Sequence, residues 1–250
     1  MEESLAQRFL PALIAGDEDL ASRLASIDDP RTGHVEGARA LATFIRSSQS
    51  WLAERQARHE AVAVTRTDER TVAEAILHLV EGDRQIPLPV AVVEDEPRSA
   101  GRLAVLRVYH SLWPLAGKHT IRPALLPTQP GLRLAPVMQQ YQDALAAGNV
   151  EGVLATYEPD GCAREPSGAN YLHCGDKALR ALYSALFANG GGIPLEHCTA
   201  TDDGTRCAVE YTVVRLGRSA VPPQAGIAVY ERGPSGRLRM ARIYDDVDVS

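Results

Sequence analysis

Carboxylates, tyrosines and histidines gather at a few places in the second half of this 250-residue chain. Its last strand-like stretch runs from Leu238 to Asp248 and alternates with period two. Arg242, Tyr244, Asp246 and Asp248 share one face, and Ala241, Ile243, Asp245 and Val247 share the other. An acid held in an apolar cavity has its charged form disfavoured by desolvation, and the raised pKa suits it to proton transfer near neutral pH. The plainer alternative is three aspartates solvated at the end of an edge strand, the usual fate of Asp. Glu210 sits among Ala208, Val209, Tyr211 and Val213, where an unpaired acid is costly if buried. Its counterpart Glu74 fits a structural pairing with Arg206/Arg70 or Arg242/Arg107 as well as it fits chemistry.

Further candidates lie upstream. Glu165, Tyr157, Tyr171 and His173 precede a helix-like run and could form the far wall of a pocket, although a lone His is more often a surface loop residue. His173-Cys174 and His197-Cys198 invite a metal reading. Neighbours in an extended chain point in opposite directions, and the spacing fits no common zinc pattern, so no metal is expected. A phosphate loop, a Ser-His-Asp order and a dinucleotide fingerprint are not found, and Asn189-Gly190-Gly191-Gly192 reads as a helix C-cap and flexible turn. Cys162, Cys174, Cys198 and Cys207 include no CxxC, so reduced thiols and no disulfide are expected.

The elements that must position these groups occur twice. Gly236-Arg237-Leu238 through Arg242-Ile243-Tyr244-Asp245-Asp246 has an earlier copy, Gly101-Arg102-Leu103 through Arg107-Val108-Tyr109-His110-Ser111. Ahead of each copy lies a strand-like run, Ala91-Val92-Val93-Glu94 with Pro97 and Ala228-Val229-Tyr230-Glu231 with Pro234. Helical stripes Leu5, Phe9, Leu13, Ile14 and Val137, Tyr141, Leu145, Ala146 end in Ala-Gly-Asp and Ala-Gly-Asn. Gly37 and Gly175 each open a second helix. Arg70 to Leu77 aligns with Arg206 to Val213 as a strand. The piece from Tyr157 to Gly168 looks absent from the first half. Residues 1–117 and 136–250 therefore read as two domains, joined by a proline-rich, stiff linker at 118–135.

Bulk composition narrows the roles. Apolar content of 45% and charged content of 23% are ordinary for a soluble domain, and a net charge of −6 offers no basic patch for nucleic acid or acidic lipid. Neither a signal-peptide pattern nor an apolar run of roughly 20 residues is seen, so a cytoplasmic location is expected.

A long helix, a Gly-begun second helix and long strands ending in Arg-x-Tyr-x-Asp resemble the NTF2-like superfamily, in particular its SnoaL-like branch, which includes ketosteroid isomerases and limonene epoxide hydrolases. The resemblance implies an α+β fold of two cystatin-like cones. Each would be a curved antiparallel sheet wrapped around helices, and the two would form an intramolecular pseudo-dimer, with a further homodimer left open. It also implies an apolar pocket and cofactor-free acid–base chemistry such as isomerisation, cyclisation or epoxide opening on a small apolar molecule. Asp246 would be the proton-transferring acid, or Asp245 if the register slips. Glu165 or His173 would be its partner and Tyr244 or Tyr230 an oxyanion donor, with Tyr157, Glu210 and Arg242 also against the ligand. Tyr109-His110-Ser111 replaces Tyr244-Asp245-Asp246 in the first half, which implies one working pocket, in the second half. The competing function is a non-catalytic ligand-binding or structural tandem module.

Overall fold

The computed structural model describes residues 3–95 and 103–247. Pro97, Gly101, Arg102 and Asp248, used above, lie outside them. The chain divides into two compact units, Met1–Gly117 and Lys118–Ser250. Unit 1 runs α1 (Leu5–Ala15), a 3-10 turn (Glu18–Arg23), β1 (Leu24–Asp29), β2 (Gly33–Glu36), α2 (Ala38–Glu54), β3 (Arg58–Arg66), β4 (Arg70–Glu81), β5 (Arg84–Asp95), β6 (Ala104–Tyr109) and α3 (Trp113–Ala116). Unit 2 runs α4 (Pro136–Ala147), α5 (Val150–Leu154), β7 (Tyr157–Arg164), β8 (Leu172–Cys174), α6 (Gly175–Leu186), β9 (Leu195–Asp202), β10 (Arg206–Leu216), β11 (Ser219–Arg232) and β12 (Leu238–Asp245). Among the described residues no helix is long and apolar enough to cross a membrane.

The duplicated Ala-Gly-Asp/Asn signature has a physical cause. Gly16 (φ 74°) and Gly148 (φ 67°) close their helices in the left-handed region, which a side chain rarely adopts. The next residue then caps the following turn: Asp17 Oδ1 accepts from Asp19 N–H, and Asn149 Oδ1 from Gly152 N–H. Ser4 and Gln7 make a reciprocal capping box at the start of α1.

Each unit is α+β, with a six-stranded sheet in the same order: β2-β1-β6-β5-β4-β3 and β8-β7-β12-β11-β10-β9. One apolar cluster joins alternate strand residues to the helices in each unit. The sheets are mixed rather than wholly antiparallel, because β1 pairs with β6 and β7 with β12 in parallel. Bulges interrupt the ladders, between Ala61 and Ala63 and between Val213 and Arg215 among others. Such insertions bend a strand and increase its twist.

Several expectations need correction. The first half has not lost the piece seen at Tyr157 to Gly168: β1 and β2 are its counterpart, joined by a shorter turn that carries one proline and one glycine, Pro30 and Gly33. The two hairpins also align differently. Arg242 faces Val229, whereas Arg107 faces Val93, so Val93 and not Val92 corresponds to Val229. A one-residue slip exchanges the faces of a strand, so Tyr230 corresponds to Glu94. The proline-rich segment is part of unit 2: Ala225 N–H donates to Arg122 O, Gln129 N–H to His197 O, and Pro123 bridges Gln224. Nor is the glycine run a loose turn. A Cβ on Gly192 would lie 2.1 Å from Leu145 O, so the segment packs tightly on the end of α4.

The cysteine expectation is overturned as well. Cys162 and Cys174 are paired across β7 and β8 with Cα atoms 4.1 Å apart, and they form a disulfide. Sequence spacing missed it because the two meet through strand register, not through a short motif. Cys198 and Cys207 are buried thiols. Thiol titration of denatured, unreduced protein should find two thiols, rising to four after reduction. For a loop of separation 12, loss of the crosslink should cost up to about 3 kcal/mol. Four thiols before reduction would refute the pairing.

Candidate active site

Unit 2 holds an open-ended cavity of about 240 Å³ between the inner face of the sheet and the helices. Tyr141 comes from α4, Tyr183 from α6, Tyr211 from β10, Tyr230 from β11 and Asp245 from β12; Leu145, Leu182 and Ile193 supply apolar wall. All four tyrosines are buried. Their hydroxyls are organised: Tyr183 bonds Tyr141 at 3.0 Å and Tyr157 at 2.7 Å, and Tyr230 accepts from Gln142 Nε2 at 2.7 Å. Burial raises the pKa of Tyr141, Tyr157, Tyr183, Tyr211 and Tyr230, so they are neutral hydrogen-bonding groups at physiological pH.

The cavity's acid is Asp245. Tyr211 O–H donates to Asp245 Oδ2 at 2.9 Å, while Oδ1 has no protein donor among the described residues. Desolvation pushes the Asp245 carboxyl up to about 6, opposed by the Tyr211 hydrogen bond and aided by the Asp246 charge. Gly226 makes the pair feasible, standing opposite Tyr211 on one side and Asp245 on the other. A Cβ there would lie 2.5 Å from the Tyr211 ring and 2.8 Å from Asp245 Cβ, so only glycine lets the ring cross the strand to reach the acid.

Asp246, the first choice from sequence, does not line the cavity. Its side chain takes the opposite face, where it accepts from His119 Nδ1 and Thr120 N–H, each at 2.9 Å. His119, from the proline-rich segment, is itself a cavity residue. Tyr244 and Arg242 share the face of Asp246. Tyr244 lies under the Arg164 guanidinium, and Arg242 binds Glu231. Glu210 is buried on the far side of β10 from Tyr211 and accepts from Thr199 Oγ1 at 2.7 Å. Arg206 and Arg242 meet Glu231, and Arg70 and Arg107 meet Asp95.

Tyr157 backs the wall through Tyr183, whereas Tyr230 and Glu165 line it. Glu165 stands at the rim with its partner His173, Nε2 to Oε1 at 2.5 Å. Sequence reasoning therefore missed Tyr141, Tyr183, Tyr211, Gln142 and His119, and ranked Asp245 second. A signal for Asp245 was present, since it alternates with Ala241, Ile243 and Val247, the apolar and therefore inward set. No group of three or more His, Cys, Asp or Glu among the described residues is placed to hold a metal ion.

The raised pKa of Asp245 has a consequence for stability. Its folded value lies above the ordinary Asp value, so the protonated form favours folding at low pH and that benefit is lost as pH rises through about 6. Asp245→Asn should therefore stabilise the protein by about 2–3 kcal/mol at pH 7–8, with the gain vanishing below about pH 4. Denaturant unfolding at several pH values checks this, and a pH-independent difference would count against the desolvated acid.

Residues 138–240 match the family model of the SnoaL-like domain. No curated protein matches the chain. Among solved structures, a Sinorhizobium meliloti protein provisionally described as a polyketide cyclase is 21% identical, with 44% of this chain and 94% of that one covered and a TM-score of 0.38. A Catenulispora acidiphila protein of ketosteroid isomerase-like fold, in complex with trimethylamine, is 12% identical over 47% of this chain and 90% of that one, TM-score 0.40. The epoxide hydrolase/cyclase-like enzyme SalBIII of salinomycin pyran-ring formation is 17% identical over 46% and 93%, TM-score 0.39. The residues that match the SnoaL-like family model, 138–240, lie within the unit that holds the cavity.

Proposed function

We propose that unit 2 is a cofactor-free acid–base enzyme for a small, largely apolar molecule, with Asp245 as the proton-transferring group. The observation that carries this is a half-buried carboxyl on the cavity wall, held at one oxygen by Tyr211. In such a site a carboxylate takes a proton from carbon beside a carbonyl, and a nearby hydroxyl donates to the oxyanion that develops. Tyr230 suits the second role, because its hydroxyl accepts from Gln142 and retains its own proton to donate. Return of the proton from Asp245 to another carbon completes an isomerisation, and protonation of an oxygen by the neutral acid would begin an epoxide opening or cyclisation.

A second reading, a non-catalytic receptor for an apolar ligand, is favoured by the mutual bonding of Tyr141, Tyr157 and Tyr183, which directs those hydroxyls to one another.

The two readings separate with 5-nitrobenzisoxazole, whose ring C–H is removed by a base as its N–O bond breaks to give a coloured phenolate. The acid–base reading expects turnover that rises with pH through about 6 and falls by about 100-fold or more in Asp245→Asn. Turnover that survives the substitution, or none above that of free acetate, would leave the receptor reading.

A further inference from the structure

The charges around the cavity of unit 2 do not balance. Three carboxylates stand on it or beside it: Asp245 on the wall, Glu165 at the rim, and Asp246 on the opposite face of β12. Two of them are answered by histidines, Asp246 by His119 Nδ1 at 2.9 Å and Glu165 by His173 Nε2 at 2.5 Å. Asp245 has no cationic partner among the described residues, and its hydrogen bond comes from the neutral Tyr211 hydroxyl, to Oδ2. The other tyrosines that line the space, Tyr141 of α4, Tyr183 of α6 and Tyr230 of β11, are neutral as well. Among the described residues of the wall the only Lys or Arg is Arg164, and its guanidinium is stacked on Tyr244 on the outer face of the sheet.

Unit 1 treats the same positions differently. Arg107 and Arg242 mark equivalent rows of β6 and β12, so His110 stands where Asp245 does. Asp28 lies opposite Arg107 as Arg164 lies opposite Arg242, so Asp29 stands where Glu165 does. Asp29 Oδ1 accepts from the N–H groups of Arg31 and Thr32, with the Arg31 guanidinium 3.7 Å away. There the chain itself supplies donors and a cation. In unit 2, Asp245 Oδ1 meets no protein donor among the described residues.

The geometry points to a protonated amine as the ligand of this cavity, its N–H donating to Asp245 Oδ1. An ammonium brings both things the acid lacks, a charge-assisted donor and a countercharge. Tyr141 and its neighbours Tyr230 and Tyr183 are inclined at 58° and 76° around the same space, and ring faces attract a cation lying within about 6 Å of a centroid. An inorganic cation needs several oxygen ligands, which a wall that includes Leu145, Leu182 and Ile193 does not offer. An organic ammonium instead lays its hydrocarbon against those side chains. An anion would meet Asp245 and Glu165 as like charges. The ligand class is therefore a small apolar body bearing one basic nitrogen. This rests on the acid–base reading for what Asp245 does next, but not for the binding.

The test titrates the wild type, Asp245→Asn and Glu165→Gln with 2-naphthylmethylammonium and with 2-naphthylmethanol, which keeps the shape and one donor but carries no charge. At neutral pH the wild type should bind the ammonium about tenfold or more tightly than the alcohol, and Asp245→Asn should bind the two alike. Glu165→Gln should keep the preference, since His173 already answers Glu165. In the wild type itself, the Asp245 carboxyl carbon resonance should titrate with a midpoint of about 6 that falls on adding the ammonium and stays on adding the alcohol, a readout that needs no variant. Equal affinity of the wild type for both probes, a preference that survives in Asp245→Asn, or a midpoint indifferent to the ammonium overturns the assignment. Turnover of 5-nitrobenzisoxazole by the wild type reads the other claim separately. Turnover without ammonium preference refutes the amine site alone, and ammonium preference without turnover refutes proton transfer by Asp245 alone.

Discussion

The hydrogen bond from Tyr211 to Asp245 is the constraint on which unit 2's interior turns. It requires a tyrosine and an acid two strands apart, and a glycine between them so that the ring can cross. Once the acid is held there, away from bulk water, its neutral form is favoured, and the surrounding groups must be neutral donors rather than charges. The tyrosines meet that requirement. They fill space as apolar rings, while their hydroxyls satisfy one another or Gln142 and leave the half-buried acid to Tyr211.

Unit 1 supplies an internal control, with the same strand order and the same glycine end to its first helix but another interior. Tyr141, Gln142, Tyr183 and Tyr211 are replaced by Phe9, Leu10, Ile45 and Ala75, all in the apolar core of that unit. Glu94 stands where Tyr230 does, and it accepts from Ala6 N–H at the start of α1. At Gly226's position unit 1 has Val90, opposite Ala75, a pairing with no ring to accommodate. The scaffold therefore does not require the tyrosines, the glycine or the acid. Their presence in one copy is a property of the site, as is expected when function is grafted on a fold.

How much of this could be read from the sequence depended on whether local periodicity determined it. The repeat, the caps at Gly16 and Gly148 and the strands from Arg70 and Arg206 were legible, because spacing of 2 or 3.6 residues and glycine conformation leave direct traces. The inward face of β12 was also legible from Ala241, Ile243 and Val247, and was set aside in favour of the family pattern at Asp246. Strand pairing was not legible. Which of Val92 or Val93 faces Arg107, the meeting of Cys162 with Cys174, and the parallel β7–β12 ladder all depend on contacts distant in sequence. Nor could composition show that a proline-rich stretch would lie along unit 2 and deliver His119 to the cavity.

That last point bears on how far the family match can carry the chemistry. The matched residues, 138–240, include the tyrosines and Arg164 but stop short of Asp245 and begin after His119. The acid, the histidine bound to its neighbour Asp246 and the strap that supplies that histidine are thus contributed by flanking segments of this chain. Asp246 illustrates the division, since it faces away from the cavity yet holds, through His119 Nδ1, a ring that lines it. A carboxylate in that position fixes which imidazole nitrogen carries the proton, and so determines the hydrogen-bonding character of the ring without touching the ligand itself.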